Sequence, residues 1–123
     1  MTRKALLITQ DKDLKKFIEI SAMTLTKLNC QAELKSTLDF KEALQIARED
    51  NLDLIFLDLD LHVFSPLGLI EEIRSETKSK DKKIIAFSEV NPISNRDEIF
   101  KSGCDSVMSK SELKMVVNNL MQY

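Results

Sequence analysis

The amino-acid sequence predicts an α/β fold in which one parallel sheet is covered by helices on both faces. Five short apolar runs alternate along the chain with segments of helical periodicity. The apolar runs are continuous, as in strands buried on both faces, whereas strands with one solvated face alternate apolar with polar residues. Only two glycines and two prolines are present, which leaves little of the chain for loops. We expect one domain over residues 1–123, because single domains are commonly about 100 to 150 residues long.

The first two strand–helix pairs occupy the N-terminal part of the chain. Residues 5–8 (ALLI) form an apolar run that ends at polar residues and predict the first strand. Residues 13–28 have apolar side chains three and four apart, which is typical of a helix. Ala32–Ser36 is a weaker, alternating strand candidate. Asp39 follows as the N-cap of a second helix, because its carboxylate can accept from the free N–H groups of the first turn.

The third pair begins with the most strand-like run of the chain, residues 54–57 (LIFL), which stops abruptly at Asp58. Ser65 and Pro66 are the residue types favoured at the N-cap and first position of a helix, so a third helix is expected from there. Residues 74–83 are charged and contain no large apolar side chain. We expect them to form a solvated connection without a function.

The last two pairs follow the same alternation. They comprise a fourth buried strand over residues 84–87, a fourth helix over residues 94–101, a short fifth strand over residues 106–108 and a last helix over residues 112–121. The fourth strand ends at Ser88 and the fifth at Lys110. Gly103 is expected to close the fourth helix, because glycine readily adopts the backbone conformation of a helix C-cap.

Polar residues close the buried strands at one edge of the sheet. In a doubly wound sheet of order 2-1-3-4-5 the winding reverses between strands 1 and 3, and the ligand crevice lies at their carboxyl ends. The residues at these ends are Thr9, Gln10 and Asp11 after strand 1, Asp58 after strand 3, Ser88 after strand 4 and Lys110 after strand 5. Such a set suits phosphoryl transfer, which needs mainly positioning and charge neutralisation. Asp58 would be the nucleophile that forms an acyl phosphate, and Ser88 and Lys110 would hold the phosphoryl oxygens.

Three segments make the chain resemble the stand-alone receiver domain of two-component response regulators. They are residues 53–58 (DLIFLD), 84–88 (IIAFS) and 103–110 (GCDSVMSK). The resemblance extends from Lys4 to Leu120, and the spacings need no large insertion. It implies a flavodoxin-like architecture and a phosphoryl donor that is a histidine kinase or phosphotransfer protein. It further implies output through a downstream protein target, with a homodimer allowed, and a signalling domain that catalyses at most its own phosphotransfer and dephosphorylation.

The metal site of such receivers is altered in this sequence. Receivers usually carry two adjacent acids after the first strand, which hold Mg²⁺ together with the phosphoacceptor. Here Thr9 and Gln10 stand at the pair, and a shift of the alignment by one residue would put Gln10 and Asp11 there and restore one acid. Because Mg²⁺ prefers carboxylate and water oxygens, the replacement puts this cofactor in doubt. The candidate ligands that the resemblance leaves are Asp58, Gln10, the carboxylate of Asp11 and the backbone carbonyl of Asp60, the last two being the weaker candidates.

The switch residues of the family also depart from the usual pattern. The resemblance assigns the switch to Ser88 and Val107 and implies an aromatic residue at the second position. A valine cannot swing inward as a ring does, so we expect a muted readout. Ser111 replaces the proline that usually follows the lysine and removes the usual cis peptide. The lone His62 is expected to be a loop residue, and the alternative is that it lends pH sensitivity to Asp58.

Composition and charge limit the partners. Eighteen Lys and Arg oppose twenty Asp and Glu, for a formal charge of −2. No excess positive charge is available for a phosphate backbone, so we expect no direct nucleic-acid binding. No apolar run approaches the roughly 18 to 20 residues that span a bilayer, which predicts no membrane insertion and a cytoplasmic location. Cys30 and Cys104 lack the spacing of a metal or redox pair and are expected to be structural.

Two other functions stay open at this point. The replacement of the acidic pair by Thr9 and Gln10 allows a receiver-like interaction module that docks on its partners without phosphorylation. A nucleotide or flavin binder shares the fold class, and fold alone does not decide function. Residues 9–12 (TQDK) lack the glycine-rich phosphate loop that such a binder needs.

Overall fold

The computed structural model describes residues 3–28, 32–89 and 95–122. Five parallel strands form one sheet in the order β2-β1-β3-β4-β5, which confirms the predicted fold class and order. In chain order the elements are β1 (Arg3–Ile8), α1 (Lys12–Lys27), β2 (Ala32–Ser36), α2 (Phe40–Ala47), β3 (Leu54–Asp58), α3 (Pro66–Ser75), β4 (Lys83–Ser88), α4 (Arg96–Ser102), β5 (Ser106–Ser109) and α5 (Lys110–Met121).

Two hydrophobic clusters lie on the two faces of the sheet. On one face, α2, α3 and α4 pack against side chains such as Leu6 and Ile55. On the other face, α1 and α5 pack against Leu7 and Phe56. Neighbouring residues of β1 and β3 thus point to opposite faces, and both faces are covered, which is why these runs are continuous in the sequence. All five residues of β3 are buried, Asp58 among them.

The N-cap side chains fix where the helices begin. Asp39 accepts a hydrogen bond from the Glu42 N–H, and Ser65 accepts one from the Gly68 N–H, so both predicted caps are confirmed. Ser109 and Glu112 form a reciprocal capping box that the sequence analysis missed. Because of it, α5 begins at Lys110 and not at residue 112 as predicted.

The charged run over residues 74–83 is a mostly exposed connection between α3 and β4, as expected. Helix α3 continues to Ser75, and Ser79 is fully buried and donates to the Ile73 carbonyl. The guanidinium of Arg74 donates to the backbone carbonyls of Lys80, Lys82 and Gly103 and forms an ion pair with Asp105. These contacts were not predicted: a guanidinium has five N–H donors and can organise a loop whose composition is entirely polar.

Gly103 confirms the predicted end of α4. Its φ angle is 120°, a region that residues with a Cβ atom rarely adopt. A Cβ built there would lie 2.6 Å from the Cγ atom of Arg74. Helix α4 begins at Arg96, and residue 94, where its start was expected, lies outside the described residues.

The buried thiol of Cys104 packs in the cluster of the α2–α4 face, and burial raises its pKa to about 11, so it is unreactive at neutral pH. Cys104 thus has the structural role that was predicted, whereas Cys30 lies outside the described residues. Over residues 3–28, 32–89 and 95–122, no helix is both long and apolar enough to cross a membrane.

Candidate functional site

Asp58 lies at the carboxyl end of the central strand β3, and only 3% of its surface is exposed. The β1–β3 register pairs Ile8 with Leu57, so the residues that follow them, Thr9 and Asp58, are adjacent. The Thr9 hydroxyl donates to Asp58 Oδ2 at 2.6 Å, and the backbone N–H of Asp60 donates to Asp58 Oδ1 at 2.9 Å. Each carboxylate oxygen therefore accepts a hydrogen bond, which satisfies and orients a buried acid.

Lys110 brings a positive charge to this carboxylate from the first position of α5. Its Nζ atom lies 3.8 Å from Asp58 Oδ2, 3.1 Å from Asp11 Oδ2 and 3.4 Å from Glu89 Oε2. Burial lowers the pKa of Lys110, but the hydrogen bond to Asp11 and the charges of Asp58 and Asp11 outweigh it, and the pKa ends above its ordinary value. The ammonium group is therefore charged at neutral pH and is shared among three acids.

Both carboxylate oxygens of Asp11 accept hydrogen bonds. One oxygen caps α1 by accepting from the Leu14 N–H at 3.1 Å, and the other accepts from Lys110. The Leu14 hydrogen bond lowers the pKa of Asp11 most, burial opposes it, and Lys110 lowers it further. Asp11 is therefore an anion that is held by a helix terminus and an ammonium group.

Ser88 is the last residue of β4 and is 6% exposed. In the β3–β4 register Asp58 lies opposite Phe87, so Ser88 is one residue further along the same edge. Ser88 is also paired with Ser109, the residue that precedes Lys110. The sheet thus brings the predicted acid, hydroxyl and ammonium residues to one edge, as the strand order predicted.

The family model of the response regulator receiver domain matches residues 6–120 of this chain. The chain belongs to that family. Among solved structures it is similar to the phosphorylated cyanobacterial phytochrome response regulator RcpA, with 19% identity, a TM-score of 0.81 and coverage of 98% of this chain and 91% of that one. It is also similar to the receiver domain of the Francisella response regulator 1452, with 24% identity, a TM-score of 0.73 and coverage of 97% and 96%.

A third similar structure is the chemotaxis response regulator CheY4 of Vibrio cholerae, with 15% identity, a TM-score of 0.76 and coverage of 98% of this chain and 99% of that one. At these identities the structural likeness concerns the fold of the receiver domain. No curated protein sequence matches the chain.

The loops at the rim of this receiver site are joined to one another by side-chain hydrogen bonds. Gln10 Oε1 accepts from the backbone N–H of His62 at 2.8 Å, which links the loop after β1 to the loop after β3. Asp60 Oδ2 accepts from the backbone N–H of Glu89 at 2.8 Å, which links the loops after β3 and β4. His62 is exposed, as expected of a loop residue. These contacts fix the loops that surround Asp58.

Two groups at the site were missed by sequence reasoning. Thr9 was placed at this edge of the sheet and interpreted as the replacement of an acid, but the hydrogen bond from its hydroxyl to the carboxylate of Asp58 was not predicted. Glu89 was not considered, although it follows Ser88 directly, at the end of a strand that was recognised. Val107, the predicted second switch residue, is buried on β5 in the cluster that faces α2, α3 and α4.

The oxygens at this receiver site do not fit a Mg²⁺ ion. Gln10 Oε1 is used by the His62 N–H, and the two oxygens of Asp11 are used by α1 and Lys110. Within the three described ranges, no group of three or more His, Cys, Asp or Glu side chains is arranged to hold a metal. Beside Asp58, the predicted ligand set therefore offers a neutral amide oxygen of Gln10 and a carboxylate of Asp11 that already pairs with Lys110, whereas hard Mg²⁺ prefers free carboxylate and water oxygens in a near-ideal octahedron.

Proposed function

We propose that this receiver domain accepts a phosphoryl group on Asp58 from a phosphohistidine of a histidine kinase or phosphotransfer protein. The observation that carries the proposal is the buried, hydrogen-bonded carboxylate of Asp58 with the Lys110 ammonium 3.8 Å away. That separation is longer than a hydrogen bond. Lys110 is therefore close enough to neutralise a new phosphoryl group without being fully committed to Asp58.

In the proposed step an oxygen of Asp58 attacks the phosphorus atom of the donor. An acyl phosphate forms on Asp58 as the phosphorus–nitrogen bond of the phosphohistidine breaks, and the bonding electron pair passes to the imidazole nitrogen, which takes up a proton from water. Lys110 stabilises the charge of the transferred group, and Ser88 offers its hydroxyl to a phosphoryl oxygen. Because hydrogen bonds and ion pairs already hold Asp58 and Lys110, the two groups are positioned before the transfer begins.

The proposed output follows from the added charge, about −1.5 to −2 at neutral pH. Lys110 is the first residue of α5, and Ser88 ends β4, so a phosphoryl group that draws both of them inward displaces the ends of two elements. Val107 carries no ring, and we assign the larger part of the switch to Ser88. The resulting face of α4, β5 and α5 would bind a downstream protein target.

The proposal also covers the location, the partners, the oligomeric state and the catalytic activity of this domain. We propose that residues 1–123 act as one receiver domain in the cytoplasm, with a homodimer as an allowed state and with neither nucleic acid nor membrane as a direct partner. The domain would be a signalling module and would catalyse at most the gain and loss of its own phosphoryl group.

The proposal is tested by intact-protein mass spectrometry after incubation with phosphoramidate or acetyl phosphate, with and without Mg²⁺. Wild type should gain the mass of one phosphoryl group and lose it on treatment with hydroxylamine, which cleaves acyl phosphates. Asp58→Asn should gain none. Asp50→Asn is the control, because it removes an exposed carboxylate outside the site and should still be modified. Equal labelling of wild type and Asp58→Asn, or no labelling of either, would refute the proposal and favour a module that docks without phosphorylation.

A further inference from the structure

A metal ion bound at Asp58 Oδ2 would compete with a hydrogen bond that already satisfies this oxygen. Thr9 donates to Asp58 Oδ2, and the same Thr9 oxygen accepts from the backbone N–H of Asp11 at 3.1 Å. Thr9 is therefore bonded on both sides and is 7% exposed. A divalent ion bound at Oδ2 would have to turn this hydroxyl away and leave it buried without an acceptor, which typically costs about 1 to 3 kcal/mol.

The position between the two acids is already filled by a cation. The Lys110 ammonium lies 3.1 Å from Asp11 Oδ2 and 3.8 Å from Asp58 Oδ2, and only 14% of its side chain is exposed. A metal ion that used both carboxylates would have to displace the ammonium group. Glu89, the third acid near Lys110, has a side chain that is 77% exposed, so solvent screens its charge more than that of Asp11 or Asp58.

Gln10 offers a metal only a neutral oxygen. Its Oε1 already accepts from the His62 N–H and so links two loops. The oxygen has a second lone pair, but it would supply a metal with a neutral ligand where a carboxylate would supply a charge. Three residues thus disfavour a bound metal ion for different reasons. Thr9 already donates a hydrogen bond to Asp58, Gln10 supplies a neutral oxygen where a carboxylate would supply a charge, and Lys110 places an ammonium group between Asp11 and Asp58.

We infer that this receiver site works without a divalent metal ion. The Lys110 ammonium supplies the positive charge that a bound ion would supply, and the hydrogen bond from the Thr9 hydroxyl fixes the position of the Asp58 carboxylate. As far as it concerns phosphoryl transfer, the inference rests on the proposed function. As far as it concerns metal binding, it stands on the contacts of the unmodified protein.

Binding is tested with Mn²⁺ as a paramagnetic probe, by the broadening of backbone amide signals in ¹⁵N-labelled protein. In wild type the signals of residues 9–11 and 58–62 should broaden no more than in Asp58→Asn. The variant Thr9→Asp/Gln10→Asp, which creates an acidic pair, should show saturable broadening of these signals, because it supplies the carboxylate oxygens that Mg²⁺ and Mn²⁺ prefer. Gln10→Asp, at an exposed position, is the second variant if the double one does not fold. Saturable broadening in wild type that is lost in Asp58→Asn would overturn the inference.

A second arm separates this inference from the proposed function. The rate of labelling by phosphoramidate is compared in Mg²⁺ and in EDTA, and the inference expects the two rates to agree. A rate that falls to background in EDTA overturns it. If neither buffer supports labelling, the proposed function fails, whereas the inference on metal binding is still decided by the Mn²⁺ titration.

Discussion

Each edge of the sheet contains a lysine with carboxylate partners, and the two edges differ in how many lysines and acids form the ion pairs. At the N-terminal edge, the buried Lys4 of β1 and Lys35 of β2 share the single carboxylate of Glu49. At the carboxyl edge, the single ammonium of the partly buried Lys110 is shared by Asp11, Asp58 and Glu89. Two ammonium groups therefore pair with one acid at one edge, and one ammonium group pairs with three acids at the other.

A structural ion pair and a reactive one differ in whether the lysine is hydrogen-bonded to its acid. The hydrogen bond from Lys4 to Glu49 raises the pKa of Lys4 and lowers that of Glu49, although burial opposes both shifts. Lys82 completes this edge by donating to the carbonyls of Glu49 and Leu52. Lys110, in contrast, approaches Asp58 without a hydrogen bond, so its charge is not committed to that carboxylate. We therefore expect phosphoryl transfer to depend on the ion pairs of the carboxyl edge, whereas those of the N-terminal edge contribute to stability alone.

The largest expected effect is that of Lys110→Met, which keeps the length of the side chain and removes its charge. We expect phosphoryl transfer to Asp58 to slow by about 100-fold or more, as on loss of other preorganised charge-stabilising donors. The measurement is the rate of labelling followed by intact mass. Lys4→Met is the matched control, since it removes a buried ammonium at the other edge and should label at the wild-type rate. Equal slowing in both variants would show that the two edges do not differ as argued.

Thr9→Val should cost more stability than Thr9→Ser, because valine cannot donate to the buried carboxylate of Asp58. The expected loss is about 1 to 3 kcal/mol of unfolding free energy for valine, and much less for serine, which keeps the hydroxyl. Urea denaturation at neutral pH measures both. If the valine variant were as stable as the serine variant, the Thr9 hydroxyl would not be the group that satisfies Asp58.

Lys4→Met should destabilise the fold by about 1 to 2 kcal/mol, because Glu49 loses its main hydrogen-bond partner. The loss is limited because Lys35 still lies 3.3 Å from Glu49. Lys35→Met gives the comparison within this edge and should cost less, since the side chain of Lys35 is 40% exposed. Urea midpoints of the two variants decide the order, and a larger loss in Lys35→Met would contradict it.

The sheet and its two faces could be predicted from the sequence because they depend on patterns that the sequence displays directly. Continuous apolar runs such as that of β3 indicate strands covered on both faces, and the polar residues that end them mark the edge where a site can form. Asp39, Ser65 and Gly103 were recognised because each performs a local task that few residue types perform well. Family membership needed only these patterns and their spacing.

The contacts at the site could not be predicted because they depend on the directions of side chains. A threonine that replaces an acid indicates a lost charge, but its hydrogen bond to Asp58 appears only once β1 and β3 are in register. The start of α5 was missed for a different reason. Lys110 was interpreted as the end of a strand, although Ser109 and Glu112 have the spacing of a capping box. The role of Arg74 depends on which carbonyls converge on it, which composition does not show.

The smallest expected effect is a pH dependence of the stability that Glu49 contributes at the N-terminal edge. The Lys4 hydrogen bond lowers the pKa of Glu49 below its ordinary 4.5, so its contribution to stability is present above that value and is lost as pH falls through the lowered pKa. Glu49→Gln should therefore be less stable than wild type at neutral pH, by no more than about 1 kcal/mol because a third of the side chain is exposed. The deficit should shrink by about pH 3, where wild-type Glu49 is protonated in the unfolded chain and increasingly in the folded one. Urea midpoints at the two pH values measure it, and an unchanged deficit would mean that the Glu49 charge does not stabilise the N-terminal edge.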